Sequence, residues 1–282
     1  MAFFTTKALR ALRLNTLCAL SGLVVKPRRP PTQTLPHSKT QTPFLGKSIC
    51  SKRTFALRFR IFHQEKILQD TYRHKGQRKR MVEALRQRGI QDEAVLAAMA
   101  AVPRHFFLEK AFEEHAYEDK PFPIGCEQTI SQPFTVAYQT VLLNIKNGDQ
   151  VLEIGTGSGY QAAILAVLGA KVFTVERQET LYFQTKKLLE TLGFKTVKCF
   201  FKDGSKGLPE KAPFDKIVVT AGAPVVPEPL KEQLAIGGIL VIPVGESVQK
   251  MLRIRRISAT EYQEERLHDF RFVPFLEGVE RK

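Results

Sequence analysis

Val151-Leu152-Glu153-Ile154-Gly155-Thr156-Gly157-Ser158-Gly159-Tyr160 is the stretch whose reading decides the fold. Apolar residues run into three glycines at alternate positions, and a helix-compatible run, Gln161 to Leu168, follows. A buried parallel strand, a tight turn and a helix N-terminus produce that order. Glycines let the backbone approach a ligand closely, and the first turn of a helix offers unpaired N–H groups with a partial positive charge. Glu153 sets a carboxylate inside the strand, and Glu176 ends the next apolar run, Val172-Phe173-Thr174-Val175. An acid at that second strand end is placed to take two ribose hydroxyls.

Outward from this turn, strands and helices alternate. Strands are expected at 151–154, 171–175, 197–201, 216–220, 239–243, 251–258 and 270–275, with helices at 160–168, 178–192 and 227–234. The pattern predicts an α/β fold of the Rossmann-like kind, a mostly parallel twisted sheet with helices on both faces. Ligands of such sheets sit at the C-terminal strand ends. Upstream, 64–88 reads as a strongly basic helix with Arg78, Lys79 and Arg80 on its exposed side, stopped by Gly89. Asp92 then caps a second helix carrying Val95, Leu96, Met99 and Val102 on its core face. The glycine spacing is G-x-G-x-G, where a dinucleotide fingerprint has G-x-G-x-x-G. With Glu176 downstream it suits S-adenosylmethionine; NAD, or a turn without a ligand, remain as alternatives.

The net charge of +15 is not spread over the chain. Residues 1–80 hold 18 of the 43 Lys and Arg and 2 of the 28 Asp and Glu, leaving 25 basic and 26 acidic residues in the other 202. A near-neutral body argues against a nucleic-acid groove across the main domain. Residues 1–60 contain twelve Lys and Arg, no acid and a Pro-rich break at Lys26–Pro31, too little apolar surface to order alone. Three readings of this segment stand: an organellar targeting peptide, a poor secretory signal interrupted by Arg13 and Asn15, or an extension from an upstream start. The expected division is therefore a disordered basic extension at 1–62 and one catalytic domain at 63–282. Cysteines 18, 50, 126 and 199 show no metal-ligand or disulfide spacing and suit a reducing compartment. No apolar run approaches the length of a membrane span.

The second informative segment is Pro123-Ile124-Gly125-Cys126-Glu127-Gln128-Thr129-Ile130-Ser131-Gln132-Pro133. It reads as a loop before a helix at 134–143. Spacing alone favours Ser131 as the cap of that helix, since Ser, Gln and then Pro in the first turn is good capping chemistry. No G-x-S-x-G elbow and no His–Asp partnership mark Ser131 as an acyl-transfer nucleophile.

Joined to the glycine turn, the Gln-Thr-Ile-Ser-Gln-Pro run resembles the protein-L-isoaspartate O-methyltransferase family in its bacterial form. The likeness covers about 78–276 and includes Val102-Pro103-Arg104-His105-Phe106, Asp203-Gly204, Thr220-Ala221-Gly222-Ala223-Pro224, Gly237-Gly238 and Phe272-Val273-Pro274-Phe275. It departs at Phe275-Leu276, where many relatives carry Pro-Leu, and in the residues ahead of 60. The resemblance implies a monomeric cytoplasmic enzyme, or an organellar one if 1–60 directs import. That enzyme methylates the α-carboxylate of L-isoaspartyl residues in damaged proteins, using S-adenosylmethionine and no metal, nucleic acid or membrane. It implies that Gly155, Thr156, Gly157 and Gly159 wrap the methionine part of the cofactor, with Glu153 beside them. Glu176 would hold the ribose, and Asp203 with Gly204 the adenine. Gln128, Thr129 and Ser131 would lie over the reacting groups, Ser131 in the catalytic role, while Thr220, Ala221, Val273 and Pro274 line the substrate slot. The chemistry agrees: the acceptor carboxylate is already ionised at neutral pH, so positioning and not a strong base is required. An RNA methyltransferase, a non-catalytic binding protein and an NAD-dependent oxidoreductase are the rivals.

Overall fold

In the computed structural model the described residues are 68–281, so the expected extension 1–62 and residues 63–67 of the expected domain lie outside them. Helix α1 (Tyr72–Gln87) opens with a reciprocal cap: Thr71 Oγ1 accepts the His74 amide, and His74 Nδ1 takes the Thr71 amide. That cap starts the helix eight residues after the expected Gln64. Asp92 closes the N-terminus of α2 (Glu93–Ala101), as expected, by accepting the amides of Ala94 and Val95. Two 3-10 turns, Arg104–Phe107 and Lys110–His115, lead to a hairpin of β1 (Phe122–Gly125) and β2 (Gln128–Ile130). The sequence reading makes this stretch a loop. Its turn residues, Cys126 and Glu127, both take positive φ, which the hairpin requires but which no Asn-Gly pair announces. Helix α3 (Pro133–Leu143) follows.

The alternating core runs β3 (Gln150–Ile154), α4 (Tyr160–Val167), β4 (Lys171–Glu176), α5 (Glu179–Thr191), β5 (Lys198–Phe201), β6 (Phe214–Val219), α6 (Glu228–Glu232) and β7 (Leu234–Val244). Strands β8 (Gln249–Arg256) and β9 (Tyr262–Phe270) complete a seven-stranded sheet of order β5-β4-β3-β6-β7-β8-β9. The first five are parallel; β8 and β9 return antiparallel. Strand period two divides the core. Val151, Val172, Val218 and Val241 pack on one face with α2 and α4, and Leu152, Val175, Ile217 and Leu240 pack on the other. Chain order reverses direction at β3, whose neighbours are β4 on one side and β6 on the other. That reversal opens a crevice beyond the C-terminal ends of β3 and β6, where ligands of such sheets bind.

Two expectations need correction. Residues 270–275 are not the last strand; that strand is β9, a charged edge whose Glu264, Glu265 and Arg266 face solvent. Beyond Phe270 the chain leaves the sheet, because its donors go elsewhere: Phe272 N–H to Gln249 Oε1 and Phe275 N–H to the Gly222 carbonyl. Arg78 is not on the exposed side of α1. Its guanidinium is buried, donating to both Asp70 oxygens (3.0 and 2.9 Å), to the Ala100 carbonyl and to the Tyr117 hydroxyl. Burial works to raise the Asp70 carboxyl, but Arg78 holds it below its usual range. A charge with four partners of this kind can be buried where an unpaired one cannot. Replacing it (Arg78→Ala) should destabilise the fold by about 3 kcal/mol, the low end for breaking a buried pair, in urea titrations at neutral pH.

Candidate functional site

Strand β3 delivers the glycine turn into the crevice. Gly155 sits at φ +94°, and a Cβ there would lie 2.5 Å from Thr220 Oγ1. That hydroxyl comes from the end of β6 and donates to the carbonyls of Gly155 (2.8 Å) and Ile154 (3.1 Å), stitching the two strand ends together. Gly159, at φ +84°, starts α4 against Thr185, whose hydroxyl donates to the Gly157 carbonyl at 2.6 Å. Thr156 turns inward, its hydroxyl 2.7 Å from that of Thr174. At Gly155 and Gly157 the loop therefore presents bare backbone, a surface that a ligand can approach closely, with Thr156 and Ser158 alongside.

Two acids flank this surface. Glu176 closes β4 with its carboxylate held by the amides of Gly157 (2.8 Å) and Gln178 (2.9 Å). Burial raises its pKa, and these two amides only partly offset that. Glu153 is more extreme: it is 0% exposed, and neither carboxylate oxygen has a hydrogen-bond partner among the described residues. Burial pushes its pKa to about 8; the Thr174 hydroxyl, paired with Thr156 and not fully bonded to the carboxyl, eases the rise a little, and the Glu176 charge adds to it. The side-chain oxygen of buried Gln161 is unpartnered as well.

The predicted site residues gather in three adjoining spaces. Gln128, Thr129, Gly155, Gly157, Glu176, Gly204, Thr220, Ala221, Val273 and Pro274 line the first cavity. Glu153, Thr156 and Ser131 line a second that shares Thr129, Gly155, Gly157 and Thr220 with it. A wide groove between α3 and residues 268–273 opens from Ser131, Thr220 and Val273. Gly159 and Asp203 line none of these. Asp203 instead caps a short turn, accepting the Ser205 amide and hydroxyl at 2.9 and 2.8 Å; burial works against it, yet these bonds hold its pKa below the usual range. Arg177, Phe275 and Leu276 also line the first cavity and are absent from the expected set. Arg177 is marked in sequence only by following Glu176; Phe275 and Leu276 belong to the stretch after Val273-Pro274 that the resemblance includes and departs from.

Ser131 is not the helix cap that spacing favours. Gln132 takes the cap position of α3 without a side-chain bond, and Asp119 Oδ1 accepts the Phe134 amide at 2.7 Å. Fifteen residues away in sequence, Asp119 supplies the acceptor and leaves the Ser131 hydroxyl facing the cavity and groove. Arg104 braces the approach to this hairpin. It is fully buried, donates to the Ala116 carbonyl at 2.8 Å, lies 5.0 Å from the Tyr160 ring centroid and has its pKa pushed down to about 10 by burial.

Away from the crevice, Asp70, His74 and His105 bring ligand-capable atoms within 4.8 Å of one another. Each is already engaged: Asp70 by Arg78, His74 by the Thr71 amide at Nδ1 and beside Glu113 at Nε2, and His105 with the Tyr117 hydroxyl at 2.7 Å. Burial lowers the His105 pKa to about 4, keeping the ring neutral inside this network.

Known proteins match this arrangement. A family profile described as protein-L-isoaspartate(D-aspartate) O-methyltransferase matches residues 76–280. The protein-L-isoaspartate O-methyltransferase of Christiangramia forsetii is 55% identical over 210 residues, spanning 74% of this chain and 99% of that one. Its counterpart from Cytophaga hutchinsonii is 54% identical over 210 residues, spanning 74% and 95%. A candidate protein-L-isoaspartate O-methyltransferase from Plasmodium falciparum, solved in complex with S-adenosyl-L-homocysteine, superposes with a TM-score of 0.63 at 28% identity. That match covers 72% of this chain and 98% of the other.

The orphaned Glu153 carboxyl has a measurable signature. Its folded pKa of about 8 exceeds the usual 4.5, so between those values the native state binds more protons than the unfolded chain. Stability of the ligand-free protein should fall as pH rises from about 5 to 8 and level off above that. Urea titrations across this range should show the decline in the wild type and a flatter profile in Glu153→Gln, which cannot ionise. An equal slope in both would place the titrating group elsewhere.

Proposed function

The chain belongs to the protein-L-isoaspartate(D-aspartate) O-methyltransferase family, and from that premise we propose how its own residues carry out the reaction. The enzyme is a protein-repair methyltransferase that transfers a methyl group from S-adenosylmethionine to isoaspartyl carboxylates. The observation that carries the residue assignment is the adjacency of the three spaces, all of which share Thr129 and Thr220. The glycine turn and Glu176 line the inner spaces, and Ser131 lines both the second space and the open groove.

The cavity suits the cofactor on its own chemistry. A cationic ammonium would meet the carboxylate of Glu153 and the Gln161 oxygen, both buried without a donor. Vicinal hydroxyls would meet the remaining lone pairs of Glu176, whose orientation the Gly157 and Gln178 amides already set. When bound, S-adenosylmethionine supplies a methyl group already activated by its sulfonium. The protein need not generate a nucleophile, because the acceptor carboxylate is ionised at neutral pH. Its residues orient and enclose. Ser131 donates a hydrogen bond to the acceptor carboxylate, Gln128 and Thr129 on β2 close the roof, and Val273 forms the wall between cavity and groove. We assign the peptide to that groove in extended form, recognised through main-chain groups as in other strand-like modes. In the isoaspartyl linkage the free carboxylate sits on Cα, so a slot built around main-chain contacts presents that carboxylate and not a normal aspartyl side chain.

We further assign catalysis to the segment from residue 68 onward, acting as a monomer in the cytoplasm. The dispersed cysteines support that compartment, and no helix among the described residues is long and apolar enough to cross a membrane. The near-neutral charge of residues 81–282 favours peptide over RNA as the partner.

Purified protein with S-adenosylmethionine should form a base-labile methyl ester on an isoaspartyl peptide and none on its aspartyl twin. Ser131→Ala should retain fold and cofactor affinity while turnover drops by roughly 100-fold, the order for losing one positioned donor. Turnover equal to wild type would remove Ser131 from the reaction, and methylation of RNA alone would overturn the function. Glu176→Ala should weaken S-adenosylmethionine by about 1.5–3 kcal/mol in calorimetry, the range for hydrogen bonds to a charged group. Unchanged affinity would place the ribose elsewhere.

A further inference from the structure

Residues 275–281 cross the corner where β4 turns into α5, next to Glu176. Glu280 forms a parallel bridge there: its amide donates to the Arg177 carbonyl at 2.8 Å, and its carbonyl accepts the Glu179 amide at 3.0 Å. Its carboxylate accepts from Gln178 Nε2 at 2.8 Å and pairs with Arg177 at 3.2 Å. Arg177 Nε adds a bond of 3.1 Å to the Gly278 carbonyl, and the Gly278 amide serves Asp203.

Packing explains only the first residue of the segment, Phe275, which lies against the apolar core. Leu276 and Val279 are 49% and 43% exposed, so little apolar surface is removed from water. From Gly278 onward polar bonds hold the segment, and most of them meet the two residues that follow Glu176, with Glu179 and Asp203 taking one each. Gln178 supplies an amide that orients the Glu176 carboxylate. The same segment delivers Phe275 and Leu276 to the wall of the cofactor cavity. Leu276 is thus an apolar side chain left half in water at a place where a bound nucleoside would cover it.

We propose that Glu280 is a positioning residue for the cofactor: by clamping Arg177 and Gln178 it holds the Glu176 carboxylate and the Phe275–Leu276 wall in place for the adenosine. The inference rests on the assignment of this cavity to S-adenosylmethionine made above. It separates cofactor binding from peptide binding, since Glu280 lies at the end of the crevice away from the Ser131 groove and touches none of the residues lining it.

S-adenosyl-L-homocysteine serves as the probe, with affinity read by calorimetry and release by stopped-flow. Glu280→Ala should weaken it by about 3- to 10-fold, as expected for a partly exposed ion pair combined with a hydrogen bond. Glu280→Gln, which keeps an acceptor for Gln178, should recover most of that loss. Gly278 has a φ of +74° with open space around its Cβ position, so Gly278→Val strains only the backbone of the segment and should speed release. In steady state the KM for S-adenosylmethionine should rise, with kcat and the KM for an isoaspartyl peptide unchanged. In the wild type, S-adenosyl-L-homocysteine should slow hydrogen exchange at the Glu179 and Glu280 amides, a readout that needs no variant. Wild-type binding with unaltered affinity in Glu280→Ala and Gly278→Val, or unaltered exchange, would overturn the proposal alone. A wild type that does not bind the probe would overturn the cofactor assignment beneath it.

Discussion

The place where a Cβ of Gly155 would lie is occupied by the Thr220 hydroxyl. The rest of the site depends on this contact. It lets the end of β6 bond directly to the backbone leaving β3, so the two central strands close on each other at the reversal of the sheet. The glycine turn that results is held from one side by Thr220 and from the other by Thr185, with bare backbone at Gly155 and Gly157. A loop so fixed needs little reordering to receive a ligand, and positioning is the main contribution this reaction asks of the protein.

Charge placement follows from the same corner. Two acids end up buried at neighbouring strand ends, and no arginine or lysine neutralises Glu153 among the described residues. The buried cations are used elsewhere: Arg78 in the network with Asp70 and Tyr117, and Arg104 against the Tyr160 ring and the Ala116 carbonyl. An uncompensated carboxyl costs folding stability, which is why its pKa moves to about 8. That cost is tolerable where a cationic partner arrives with the ligand. The site is thus destabilised where binding takes place, whereas in the helical N-terminal part Asp70 and Tyr117 meet the buried charge of Arg78.

The local patterns were legible along the chain. The strands around the turn, the glycine spacing, the Asp92 cap and the acid at 176 depend on residues within a few positions of each other, and each appears where the pattern put it. The family resemblance was legible too, because its motifs are contiguous. Less visible was β9, whose exposed Glu and Arg residues carry no alternating apolar signal; an edge strand needs none on its open face. The β1–β2 hairpin was hidden for another reason: Cys126 and Glu127 accept left-handed geometry that their residue types do not advertise.

Sequence by itself determined the α/β class, because hydrophobic period and turn chemistry are short-range properties, and its contiguous motifs marked the family and, through that resemblance, the candidate site residues. Tertiary structure alone decided what those residues do with their polar atoms. Arg78 is buried because Tyr117 and Asp70 meet it from distances of 39 and 8 residues. Ser131 is released from capping because Asp119 takes the helix amide. Glu176 is braced at its corner by a segment whose Glu280 lies 103 residues beyond Arg177. Each of these depends on which donor reaches which acceptor first in space, and a linear pattern holds no record of that competition.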